Sequence, residues 1–125
     1  MNKFDSIVEG SLAIAQSEAL KRKHIELTPY HLILGLMNNP QSFSNRALKK
    51  YSKELEKLLD TTPTTKNKLE MENLRASSKL SEWLTYASSN AIQNGRGEIT
   101  ETDLLKYLQQ IVPEFKIDYN DLKTE

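Results

Sequence analysis

The sequence contains no cysteine. That excludes a disulfide framework and thiolate chemistry, and it fits a reducing compartment, so a cytoplasmic location is expected. No charge predominates: 17 Lys and Arg balance 17 Asp and Glu. Nucleic-acid surfaces need a net basic patch, so a nucleic-acid partner is not expected. No apolar run approaches the roughly 20 residues needed to cross a bilayer. The first ten residues, MNKFDSIVEG, lack the apolar stretch of a signal peptide, so no membrane partner is expected either.

Catalytic patterns are also missing. The glycines of NGRGE, Gly95 and Gly97, are not followed by Lys and Ser or Thr, so there is no phosphate loop and no nucleotide cofactor is expected. His24 and His31 are the only histidines, and neither has a histidine or carboxylate four residues on. A metal site is therefore not expected. No Ser-His-Asp or Cys-His set exists to make a nucleophile. Glu54 with Glu56, and Glu70 with Glu72, read as solvated faces rather than acid–base pairs. The expectation is a non-enzyme without cofactor, acting by binding.

What is present is helical. Glycine and proline number four each and punctuate long stretches rich in Leu, Ala, Lys, Glu and Ser, without strand-type alternation. Val8, Leu12, Ala15 and Ala19 mark a first helix over about residues 3–22. Thr28 and Pro29 suit the cap and first turn of a second, PYHLILGLMNN, which is apolar nearly all round and so central. Pro40 stops it. A third helix is expected from Ser42, carrying Phe43, Ala47, Leu48 and Tyr51, and a fourth around Leu55, Leu58 and Leu59. The segment 61–73 is polar, contains Pro63 and reads as a surface linker. A long helix over 77–94 follows, with Leu80, Leu84, Ala87 and Ala91 buried and Gly95 as its stop. Thr100 and Asp103 form a capping box ahead of Leu104, Leu105 and Leu108.

A shift of about 72 residues aligns the chain with itself without a gap. Leu12, Ala15, Ser17 and Ala19 fall on Leu84, Ala87, Ser89 and Ala91. Glu26, Leu27 and Thr28 fall on Glu98, Ile99 and Thr100, and Leu32, Ile33 and Leu36 fall on Leu104, Leu105 and Leu108. Generic amphipathic helices would not also match in the loop and at the cap. The fold class expected is all-α: a single domain, 1–125, of two pseudo-twofold helical repeats, about 3–60 and 74–125, joined by a linker at about 61–73.

The segment ALKRKHIELTPYHLILGLMNN resembles the signature of the Clp amino-terminal repeat domain. His31 stands where that family carries a histidine, and the wording EL-TPYHL is most similar to the ClpB disaggregase branch. The resemblance covers the whole chain, more strongly over 3–60 than over 77–108. Asp103 replaces the histidine in the second copy, and Tyr107 replaces the glycine seen as Gly35. EFKIDYNDLKTE copies the third and fourth helices only in part, so the second repeat is expected to be shortened or the chain to be cut before its natural end.

The resemblance implies a chaperone accessory domain that recruits unfolded or aggregated protein segments, or an adaptor, to ATPase modules of a parent chain. It implies an apolar groove whose positions fall on Leu84, Tyr86, Asn90 and Asp103. Trp83 and Tyr86 are aromatic groups of the kind enriched at binding hot spots, and Phe4 would close the same groove. Asn90 and Asp103 make it more polar. The ClpC branch reads phosphorylated arginine with an acidic residue before each histidine; Tyr30 and Thr102 stand there, so that activity is not expected. A free-standing Clp-domain adaptor is the alternative. A helix-turn-helix DNA-binding protein is a third reading. Its one support, Lys49, Lys50, Lys53 and Lys57, reads better as a solvated face with Glu54 and Glu56.

Overall fold

The computed structural model describes residues 3–67 and 70–115. Helices α1 (Ser6–Lys21) and α2 (Pro29–Met37) are followed by the short α3 (Asn45–Lys49) and α4 (Ser52–Leu59). A single 3-10 turn, Met71–Asn73, leads to α5 (Ser78–Gln93), α6 (Glu101–Lys106) and α7 (Leu108–Ile111). The chain is all-α in class, and its two helical repeats are related by the pseudo-twofold that the register implies. The fragment 116–125, expected to echo the third and fourth helices, lies outside the described residues.

Three expectations need correcting. Short strands do occur: β1 (Glu26–Leu27) pairs in parallel with β2 (Arg75–Ala76). Two residues are too few to show alternation in a sequence. Phe4 does not start the first helix; it makes a parallel bridge to Ile99, and α1 starts two residues later on the Asp5 cap, whose Oδ1 accepts from Val8 N at 2.9 Å. Phe43 likewise precedes α3 and is 38% exposed.

The repeats are joined by exchanged pairings. The Asp5 amide donates to Ile99 O at 3.0 Å, and the Ile99 amide donates to Lys3 O at 2.8 Å. In the counterpart, the Ser77 amide donates to Leu27 O at 2.9 Å. Each leading segment thus pairs with the strand ahead of the other repeat's central helix. Ser77 caps α5 through Leu80 N as Asp5 caps α1. Thr28 and Thr100 share one conformation, with φ −112°, ψ 168° and φ −110°, ψ 168°. Lys23 (φ 59°) and Gly95 (φ 74°), which fall on one another in the register, are both left-handed.

One continuous core draws on both repeats, with residues of α2, α6 and α7 deep inside it. Leu32, Ile33, Leu36, Leu104 and Leu108 are almost fully buried, each contributing roughly 1.5–3 kcal/mol relative to exposure. At the α1–α2 crossing a Cβ on Gly35 would stand 2.1 Å from Ser11 O, so only glycine fits. The second repeat puts Trp83 and Tyr107 at these register positions. Tyr107 ends α6, and the chain restarts as α7. The two halves are further tied by Glu101, whose buried carboxylate accepts from Ser42 Oγ at 2.5 Å, Ser44 N at 3.1 Å and Phe43 N at 3.2 Å. At the far end of α1, Arg22 grips Glu56 of α4 at 2.9 and 3.0 Å. That contact raises the arginine pKa and holds the Glu56 carboxyl below its usual value.

Candidate protein-binding surface

The residues singled out from the sequence separate into two groups once folded. Trp83 is fully buried and its Nε1–H donates to Leu104 O at 2.8 Å. A buried indole fastening α5 to the carbonyl of α6 offers no surface to a partner. Its place in the sequence beside the Leu80–Leu84–Ala87 stripe did not reveal this, because at helical spacing a neighbour of the stripe lies on either side of it. Phe4 and Leu84 are half-buried against the core. Tyr86 is half-buried too, and it stacks on Tyr107 with ring centroids 5.4 Å apart and planes inclined by 27°. Its hydroxyl donates to Glu82 at 3.3 Å.

Asn90 and Asp103 form a polar centre beside this stack. Asp103 is fully buried at the third position of α6. Its Oδ2 accepts from Thr100 N at 2.8 Å, completing the capping box, and its Oδ1 accepts from Asn90 Nδ2 at 2.7 Å and from Arg96. Asn90 Oδ1 in turn accepts from Lys106 Nζ at 3.0 Å. That ammonium also lies 5.9 Å from the Tyr107 ring centroid, so Lys106 joins the polar centre to the aromatic stack. Asn90, Asn94, Arg96, Thr102 and Lys106 line an open depression of about 420 Å³.

Arg96, Lys106 and Tyr107 are the residues of this face that the sequence reading did not select. A signal for Arg96 existed in the register, which sets the Arg96–Asp103 pair on His24–His31. Those histidines are buried and bonded to each other, not arranged as a metal site. Among the described residues no group of three or more His, Cys, Asp or Glu side chains could hold a metal ion.

A second depression, of about 400 Å³, opens where the starts of α2 and α5 meet, with Tyr30, Glu26, Lys79 and Glu114 on its wall. The Tyr30 hydroxyl donates to the Glu114 carboxylate there. Burial, and then that carboxylate, push the phenol pKa up to about 12. Among the described residues no helix is long and apolar enough to cross a membrane.

Comparison with solved structures places this architecture. The N-terminal domain of the ClpV1 ATPase from the Sci1 type VI secretion system of enteroaggregative E. coli superposes with a TM-score of 0.73 at 20% identity, covering 98% of this chain and 78% of that one. The Hsp104 N-terminal domain of Candida albicans gives a TM-score of 0.70 at 15% identity, covering 98% and 87%. A third structure, described as a peptide from the E. coli EAEC Sci1 SciI protein, gives 0.73 at 21% identity, covering 94% and 76%. A search of curated proteins by sequence finds no match. The family of Clp repeat N-terminal domains matches residues 3–110, nearly the whole described chain, and the protein belongs to that family.

Proposed function

We propose that the chain is a substrate- or adaptor-binding domain of a Clp-type AAA+ ATPase, and that it holds unfolded protein segments weakly on its α5–α6 face. The observation that carries this reading is the Tyr86–Tyr107 stack, an aromatic pair left half-open beside a depression, with Lys106 over one ring. Half-open aromatics give large contact area at little entropic cost, which is how binding hot spots are built. Leu84 lies two residues from Tyr86, roughly 200° around α5, and so flanks the other side of that helix, while Phe4 bridges to Ile99 just ahead of α6. Asn90 and Asp103 have their bonding capacity engaged within the domain and act as its support. Trp83 belongs to the core.

The similarity to a ClpV1 domain, and to a structure described as a SciI peptide, favours a protein segment as the occupant. Weak affinity suits the setting, because such domains gain avidity when several are carried by one assembly. The ClpB-like choice among branches rests on the TPYHL wording alone. The chain holds no phosphate loop and would depend on ATPase modules elsewhere for work.

The test is NMR shift mapping with a reduced, unfolded model protein. Perturbations should gather at Tyr86, Tyr107 and Lys106, and Tyr86→Ala should weaken binding about fivefold or more while the thermal transition stays cooperative. Perturbations confined to the opposite face would end this reading.

A further inference from the structure

We infer that the α5–α6 face selects segments that carry a carboxylate side chain next to an apolar one. The inference rests on the docking role proposed above and adds its chemical preference.

The argument is one of charge left over. Two cations, Arg96 and Lys106, line the depression, and the carboxylate beside it is Asp103. Asp103 is fully buried and its oxygens are occupied by Thr100, Asn90 and Arg96. It neutralises Arg96 and leaves Lys106. Among the described residues the Lys106 ammonium meets the amide oxygen of Asn90 but no carboxylate. The nearby Glu82 is turned to Lys79 at 3.9 Å and to Tyr86.

The depression therefore presents an exposed, incompletely paired cation, with Asn94 and Thr102 as further polar neighbours. Because Lys106 also borders the Tyr107 ring, a ligand reaching it with a carboxylate has its next apolar group at the Tyr86–Tyr107 stack. Complementary charge of this kind chiefly sets specificity and encounter rate. The partner that fits is a peptide segment with Asp or Glu beside Phe, Leu or Tyr.

The experiment uses the whole chain and two fluorescein-labelled peptides that differ only by Glu or Gln next to a central Phe, with anisotropy read at low and moderate salt. The Glu peptide should bind about three- to tenfold more tightly at low salt, and the gap should close as salt screens it. Lys106→Gln, an exposed change that keeps a donor for Asn90, should remove the preference, so that the Glu and Gln peptides bind the variant alike. Equal binding of the two peptides overturns the charge preference while leaving the docking surface in place. A preference that survives Lys106→Gln puts the anion elsewhere and also overturns it. Binding of neither peptide removes the docking reading and this inference together. A preference matched by inorganic phosphate, competing at equal concentration, reduces the site to an anion hole and overturns the segment reading.

Discussion

The Nδ1 atom of His24 and the Nε2 atom of His31 lie 2.7 Å apart in the interior of the first repeat. The Thr28 amide donates to His31 Nδ1 at 2.9 Å, so the proton of that ring is on Nε2 and is donated to His24. Both rings are then neutral, and a proton added to His24 Nδ1 would set two N–H groups against each other.

A pH dependence follows. Burial, then His24 and Arg22, push His31 down to about 4 from 6.5. Burial, then Arg22, lowers His24, against a pull from Asp60. Glu18 opposes the shift of His31. With the folded value below the unfolded one, the unfolded chain takes up the proton first as pH falls. Stability is full above pH 6.5 and declines from there toward 4. Urea unfolding at pH 7.5 and pH 5.5 should differ by about 1–2 kcal/mol, since a fully effective site changes stability by about 1.4 kcal/mol per pH unit. Glu56, with a lowered pKa, adds its loss only below 4.5. Equal midpoints at the two pH values would contradict the neutral pair.

Gly35→Ala should lower stability by about 3 kcal/mol, the upper range for forcing a methyl into a packed site. The added carbon meets the backbone of α1 at Ser11, which has no rotamer to yield. Thermal unfolding followed by circular dichroism reads the effect. A variant as stable as the parent would mean that α1 and α2 move apart freely.

Lys23→Gly should stabilise the chain by about 0.5–1 kcal/mol, because Lys23 pays for a left-handed conformation that glycine adopts freely. Gly95→Ala should do the reverse by about 1 kcal/mol from the same backbone geometry. Nothing lies within 4 Å of a Cβ at Gly95, so the cost there is purely conformational. Chemical denaturation of both variants gives the sign, and shifts in the same direction would be inconsistent with this account.

Asp103→Ala should cost about 3 kcal/mol or more, since removing one partner strands the groups that a buried charge was holding. Thr100 N, Asn90 Nδ2 and the Arg96 guanidinium would all lose their acceptor. Asp103→Asn, which keeps an oxygen at the cap, should lose less. Comparable losses for the two would assign the effect to charge alone.

The register between the repeats was legible because burial and capping each demand a residue type at a fixed place. Thr28 and Thr100, Leu32 and Leu104, and Ala19 and Ala91 answer the same demands twice. The strands were not legible: each is two residues long, and their pairing joins positions some fifty residues apart. For the candidate site, Tyr86 and Leu84 stood out in the sequence because aromatic and apolar residues on or beside a helical stripe are visible by spacing, and both are half-buried in the structure. Trp83 was placed on the wrong side of that boundary, since spacing alone does not say how far a neighbouring helix reaches around.

By itself, the sequence determined the class, the duplicated unit, the Thr caps, the glycine stop at Gly95 and the absence of a phosphate loop, all consequences of local propensity and periodicity. Only the tertiary structure decided that the leading segment of each half pairs with the other half, and that Trp83 is internal. It also decided that Lys106 bridges Asn90 and Tyr107. These are relations between side chains on different elements, fixed by how the helices pack, and nothing local in a chain records which partners that packing brings together.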